Sequence, residues 1–306
     1  MTAQDMINVL NILKAAESVS FSRIQRKLEM SVSKLESILS GLCTMGIVYK
    51  PDDFDYRLTE KIPDPFLGEK VRQAFEDIIS NRGAYLTAEL LSKVSTPFIP
   101  MMTEEYKQAP RKVMIVGQET LGMEEAFDSI GSAQAYFEER TAFFKEFSFG
   151  KELNNSHFWF AFDQVVSHFS LEGRNHAYWT NLNKFQLISK KSGSNSPSKL
   201  NAVDIMSLIK MQRALFLAEI EDAKPDVIVY FTGAQTWMLD HYLNGGKKLA
   251  VKPLDKRSHL GIIETDILHC PIAVCTDHPA SWKHTEATLQ HRKNALNYAL
   301  NKLEGL

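Results

Sequence analysis

The run Lys112-Val113-Met114-Ile115-Val116-Gly117-Gln118-Glu119-Thr120-Leu121-Gly122 constrains the fold of this chain more than any other stretch. Four apolar residues in succession predict a strand buried on both faces, as in the middle of a parallel sheet. The glycines that follow predict a turn. In such sheets ligands bind just beyond the carboxyl ends of the strands, so Glu119 reads as a carboxylate delivered to a cleft. A Gly-Gln-Glu turn on its own is more often a surface loop, and here its place after a buried strand gives it weight.

The remainder of the second half repeats that alternation. Short apolar runs over 177–182, 226–232 and 272–276 predict three further strands, and helical periodicity occupies 123–146, 158–169, 202–223 and 285–303. The expected fold class is α/β, with a four-stranded, mainly parallel sheet flanked by helices over 109–306. Pro97, Pro100 and Pro110 break helix ahead of the first strand. Residues 63–108 read as a helical connector, with helices over 68–81 and 87–94.

The first 62 residues follow another pattern. Helices are expected over 3–16 and 21–28 and between Ser31 and Gly46, followed by a hairpin of 47–49 and 56–58 around Pro51-Asp52-Asp53. This order resembles a winged helix-turn-helix domain, which docks DNA through its third helix or serves as a dimer or partner surface. Its charges favour neither role. Lys14, Arg23, Arg26, Lys27, Lys34, Lys50, Arg57 and Lys61 are balanced by Asp5, Glu17, Glu29, Glu36, Asp52, Asp53, Asp55 and Glu60, and the wing tip is acidic, which repels phosphate.

With 306 residues the chain suits two domains, and 44% hydrophobic against 24% charged residues is an ordinary globular balance. No apolar run approaches the roughly 20 residues of a membrane-spanning helix and the start lacks a secretion-signal layout, so a cytoplasmic location without membrane partners is expected. Cys43, Cys270 and Cys275 lack metal-ligand spacing and read as buried thiols, so no metal or cofactor is expected. A net charge of -2 decides nothing about nucleic acid, because a local basic surface can sit on a neutral protein.

Two more strand ends carry polar groups. Thr276-Asp277-His278-Pro279-Ala280-Ser281-Trp282 follows the last strand, and a His fixed before Pro there is placed to act as acid or hydrogen-bond donor, although a lone His is usually structural. Trp179-Thr180-Asn181-Leu182-Asn183 ends the second strand, and the Asn181 amide offers both a donor and an acceptor group for a nucleobase edge, although Asn is also a routine turn residue. In a parallel sheet all three ends face one cleft.

In that order the three resemble the uracil-DNA glycosylase superfamily, whose classical enzymes carry Gly-Gln-Asp-Pro-Tyr, Leu-Leu-Asn and His-Pro-Ser after their first, second and last strands. Lys224-Pro225-Asp226-Val227-Ile228-Val229-Tyr230-Phe231-Thr232-Gly233-Ala234 is similar to the family's third strand and its glycine turn. The resemblance implies that Glu119 activates water and stabilises a sugar cation, an oxocarbenium-like state of the kind carboxylates stabilise in sugar hydrolases. It further implies that His278 stabilises charge on the departing base, and that Asn181 and the main chain near Gln118 bind the base edge. Phe147, Phe149 and Phe158 lie in the interval of the stacking aromatic, and Phe149 is the expected one. No cofactor is implied.

Base chemistry requires a flipped nucleotide and a hold on the backbone. The segment 173–203 has no acidic residue and carries Arg174, Lys184, Lys190, Lys191 and Lys199, while 244–261 carries Lys247, Lys248, Lys252, Lys256 and Arg257 against Asp255. These read as DNA-contacting loops or as plain solvated ones. Gly233, Ser281, Trp282 and Lys283 are further expected DNA contacts, Trp282 or Lys283 as wedge or phosphate contact. Leu121 stands where the family's Tyr excludes a C5 substituent, and Glu119 is one methylene longer than Asp. A monofunctional glycosylase for a modified pyrimidine is therefore expected, with a hypermodified phage base such as glucosylated hydroxymethylcytosine as one candidate. The other reading is a non-catalytic DNA sensor that keeps the base pocket.

Overall fold

A computed structural model describes residues 3–14, 19–44, 48–49, 55–58, 65–119, 123, 125–150, 156–188, 200–233, 236–254, 260–264, 270–279 and 286–305. The chain divides into two compact units, Met1–Ile62 and Pro63–Leu306. The first holds α1 (Ala3–Lys14), β1 (Val19–Ser20), α2 (Phe21–Leu28), α3 (Val32–Thr44), β2 (Val48–Tyr49) and β3 (Asp55–Leu58). Its helices close over Val9, Leu13, Ile24, Leu35, Ile38, Leu39 and Leu42. The expected hairpin is the antiparallel pair β2 and β3, and β1 pairs with the other edge of β3.

The second unit runs α4 (Glu69–Ser80), α5 (Arg82–Tyr85), α6 (Ala88–Leu91), α7 (Glu104–Gln108), β4 (Val113–Glu119), α8 (Ala133–Phe147), α9 (His157–His168), β5 (Ala177–Asn183), α10 (Ala202–Ala223), β6 (Val227–Tyr230), α11 (Thr236–Asn244), β7 (Ala250–Pro253), β8 (Gly261–Glu264), β9 (Ile272–Cys275) and α12 (Glu286–Glu304). Its sheet has the order β5-β4-β6-β9-β8-β7. The four expected strands pair in parallel. The sheet is nonetheless six-stranded and mixed, because β8 joins β9 antiparallel and β7 joins β8. The segment expected to be only a basic loop thus holds an edge strand. Its residues Ala250, Val251, Lys252 and Pro253 are mostly exposed and lack the apolar run that marks a buried strand, while Pro253 suits a sheet edge.

Helices cover both faces of the sheet. Met114, Val116, Tyr178, Leu182, Ile228 and Tyr230 pack against α10 and α11, and Val113, Ile115, Ala177, Val227 and Val229 pack against α9 and α12. Residues 63–108 are no linker. Val71, Phe75 and Ile78 of α4 lie on Leu208, Met211 and Leu215 of α10, so α10 is buried on two sides, which explains why its apolar residues encircle it. Asp222 of α10 accepts from the backbone N–H groups of Lys70 (3.2 Å) and Val71 (2.9 Å), placing a carboxylate on the first turn of α4. The helix expected over 123–146 begins only at Ala133, after a 3-10 turn at Phe127–Ser129, because Gly131 and Ser132 interrupt it. Among the described residues no helix is long and apolar enough to cross a membrane.

Candidate active site at the strand ends

The two ladders of β4 stop at different points, and this opens the site. Toward β6 the register ends at Val116↔Tyr230, closed by the Phe231 N–H donating to the Val116 carbonyl at 2.8 Å. Toward β5 it continues through Gly117↔Asn181 to Glu119↔Asn183. Residues 117–119 are therefore held on one side only, at the place where the chain has crossed from one side of β4 to the other. Such a reversal of strand order is where open α/β sheets bind ligands. Burial falls there too, from complete at Val113–Val116 to partial at Gln118 and Glu119.

Gly117 is required by close approach. A Cβ at this position would lie 2.1 Å from Asn181 Oδ1 and 3.2 Å from Phe158 Cε2. The buried Asn181 carboxamide and the half-buried Phe158 ring thus converge on the bare backbone of β4. Asn183, one turn of the pleat further, serves packing instead: its amide lies 3.9 Å from Met238 Sδ and accepts from Tyr242 Oη at 3.4 Å.

Phe158, and not the expected Phe149, is the ring beside this cluster. Phe149 adopts a left-handed conformation (φ 54°) after α8 and is buried with its ring edge-on to Phe144 at 6.2 Å. Its carbonyl and that of Gly150 accept from Arg174, whose guanidinium also makes two bonds to Asp163 at 2.6 and 2.7 Å. Phe158 instead sits in the first turn of α9, on the stripe it shares with Phe162 and Val165, and meets Phe231 edge-on at 6.0 Å. Helix phase is the sequence signal that singles it out.

The third strand end supplies His278. After β6 the Gly233 N–H donates to the Thr276 carbonyl at 3.1 Å, tying the β6 turn to the β9 turn. Gly233 has φ +58°, and a Cβ there would lie 3.1 Å from the backbone N and 3.2 Å from the Cβ of His278. The glycine lets one turn press on the other. Burial lowers the His278 pKa, the Glu119 carboxylate opposes that effect, and the Arg292 guanidinium adds to it. The Glu119 carboxylate at the β4 end thus bears on the imidazole at the β9 end. Gln118 Nε2 donates to Glu119 Oε1 over a long 3.5 Å.

Behind His278 stands a buried polar layer absent from the sequence expectations. His291 Nδ1 is 3.7 Å from Asp277 Oδ2, and Arg292 Nη1 donates to Gln164 Oε1 at 2.8 Å. Both residues belong to α12 and both are almost wholly buried. Lys247 and Lys248 are exposed in the turn between α11 and β7. Leu121, Lys190, Lys191, Lys199, Ser281, Trp282 and Lys283 lie outside the described residues. Cys275 is buried in β9, where burial pushes its thiol up to about 12.

A carboxylate, an imidazole kept toward its neutral form and a carboxamide stand at the carboxyl ends of β4, β9 and β5, with the Phe158 ring beside the carboxamide. That set can bind a flat heterocycle, stabilise a cation on one side and donate a hydrogen bond on the other. No protein-family model matches the chain, and no curated protein shows significant sequence similarity to it.

Proposed function

We propose that the second unit is a monofunctional DNA glycosylase of the uracil-DNA glycosylase type, cleaving the N-glycosidic bond of a flipped-out modified pyrimidine. The observation that carries the reading is the convergence of Asn181 and Phe158 on Gly117, two residues before Glu119 on the same strand end. In this reading the Asn181 amide bonds the base edge and the Phe158 ring stacks on the base. As the C–N bond lengthens, positive charge grows on the sugar and negative charge on the base. The Glu119 carboxylate stabilises the former and takes a proton from the attacking water, whose oxygen bonds to the anomeric carbon. The neutral His278 donates a hydrogen bond to the departing base, which leaves with the bonding electrons and is later protonated.

In sequence, Leu121 takes the place of the tyrosine that excludes C5 substituents in the family it resembles, so a bulky C5 substituent such as that of glucosylated hydroxymethylcytosine in phage DNA is the proposed target, attacked in the cytoplasm as a defence. The first unit, read as a winged helix, presents the protein to DNA or to a partner. The test is incubation of the full chain with unmodified, uracil-containing and glucosylated phage DNA, followed by detection of released base and abasic sites. Release from modified DNA that Glu119→Gln abolishes supports the reading. Undiminished DNA binding with no base released from any substrate would favour a sensor instead.

A further inference from the structure

Six large apolar side chains are exposed among the described residues, and three of them border one groove. Val203 and Met206 stand on α10, 75% and 44% exposed, and Trp237 stands on α11, 41% exposed. Both helices leave carboxyl ends of parallel strands, α10 after β5 and α11 after β6, and cover the same face of the sheet. Between them runs an open groove of about 770 Å³. Val203, Met206, Lys210 and Arg213 recur at helical spacing along one wall, and His241 and Gly245 line the other. Trp237, one turn before His241, meets its ring edge-on at 6.0 Å. The groove is therefore apolar near the start of α10 and basic further along. Arg213 Nε donates to the Tyr242 carbonyl at 2.9 Å, which holds the guanidinium at the wall, and Lys247 and Lys248 are exposed in the turn beyond. None of the described residues lining the groove is acidic. The carboxylates of Asp204 and Asp240, on the same two helices, take hydrogen bonds from Asn201 Nδ2 at 2.7 Å and from the Leu249 N–H at 2.8 Å.

A fourth exposed apolar side chain offers the complement. Phe143 is 39% exposed on α8, whose solvent face also carries Glu138, Glu139, Ala142 and Glu146. The opposite face is buried through Tyr136, Phe137 and Phe144. Arg140 is folded over the rings of Tyr136 and Phe143 and pairs with Glu139, and Lys145 is exposed at the margin, so the face keeps an acidic excess.

We propose that α8 of one copy of this chain docks in the α10–α11 groove of a second copy, a contact that stands apart from the proposed chemistry. An amphipathic helix laid in an apolar groove is a recurrent mode of recognition, and here both halves carry opposite charge beside their apolar group. The spacings agree. Glu139 precedes Phe143 by four residues and Met206 precedes Lys210 by four, about 6 Å along each helix. With α8 antiparallel to α10, Phe143 enters beside Met206 and Trp237 while Glu138 and Glu139 reach Lys210 and Arg213. Ala142 is small enough to let α8 approach Ile209 on the groove floor. Because the two surfaces differ, the contact is head-to-tail and each copy can offer both halves. Nucleic acid is the other occupant a basic surface suggests, but the exposed Val203 and Met206 give phosphate nothing to bind.

Sedimentation velocity of the full chain is the test. One helix in a groove is a small interface, so association is expected at about micromolar concentration, with the mass rising above the 34.7 kDa of one copy and falling back at high salt. Lys210→Glu and Glu139→Lys, both at exposed positions, should each keep the far-UV circular dichroism and weaken association by about tenfold or more. A chain carrying both reversals, or an equimolar mixture of the two single variants, should regain it. Met206→Glu, which sets a carboxylate against Phe143, should abolish it. A wild-type chain that stays at the mass of one copy overturns the proposal, as does association that Lys210→Glu leaves intact or that the paired reversal fails to restore. A monomeric chain whose binding to duplex DNA weakens on Lys210→Glu would also overturn it and assign the groove to nucleic acid.

Discussion

Lys184 and Glu219 form an ion pair in which neither side chain is exposed, with Nζ to Oε2 at 2.6 Å. Thr180 Oγ1 donates to the same Oε2 at 2.8 Å, and Glu219 Oε1 has no partner among the described residues. Burial lowers the Lys184 pKa and raises that of Glu219, and each partner's charge opposes the effect on the other. Removing one partner of such a pair costs about 3–5 kcal/mol, because the other charge is left buried, whereas replacing both by apolar groups is close to neutral. For a unit of this size each kcal/mol moves Tm by about 2–4 °C, so Glu219→Leu or Lys184→Met should lower Tm by about 6–20 °C. The double variant should recover most of the loss. The single variants should also respond to pH in opposite senses. In Glu219→Leu the folded-state pKa of Lys184 falls further below its unfolded value of about 10.4, so the unfolded chain binds the extra proton and stability rises with pH through that interval. In Lys184→Met the folded-state pKa of Glu219 stands above its unfolded value of about 4.3, and stability falls as pH rises through that interval. Urea unfolding of the four proteins from pH 5 to 9 is the measurement. Single variants that each lose less than about 1 kcal/mol, or a double variant as weak as the sum, would refute the coupling.

The strand-end cluster gives further expectations. Gly117→Ala puts a methyl 2.1 Å from Asn181 Oδ1, so the amide must move, and base release should fall about 100-fold while far-UV circular dichroism stays unchanged. An undiminished rate would remove Asn181 from the site. Gly233→Ala combines a left-handed conformation with contact on His278 and should cost about 1–2 kcal/mol in denaturant titration. A neutral cost would mean that the turn relaxes freely. Because the folded-state pKa of His278 is lowered, the proton binds the unfolded chain more tightly, and this group's contribution to stability grows as pH rises toward about 6.5. By the same sign, catalysis that uses the neutral imidazole should retain its plateau to below pH 6.5, and an acid limb above that value would contradict it. His278→Ala should remove the limb.

The parallel half of the sheet was readable because β4, β6 and β9 carry unbroken apolar runs buried on both faces and β5 is buried along most of its length. The antiparallel half was hidden for the converse reason. β7 has solvent on much of its surface, and its pairing with β8 is visible only once β9 is in place. The 63–108 segment carried its apolar stripe openly at Val71, Phe75 and Ile78, but the surface that receives it belongs to a helix more than a hundred residues later.

Site residues follow the same division. The placement of Glu119, Asn181 and His278 was legible because each sits at a strand's carboxyl end, a place fixed by local pattern. Phe149 misled because one left-handed residue after α8 turned its ring into the aromatic layer, and composition cannot register a single backbone angle. His291 and Arg292 were the least legible, since on an isolated helix they look like solvated polar residues; only the packing of α12 on β9 turns them inward. That inward turn sets their cost. Among the described residues Nε and Nη2 of Arg292 keep unused donors, and a buried guanidinium of that kind lowers stability wherever it stands.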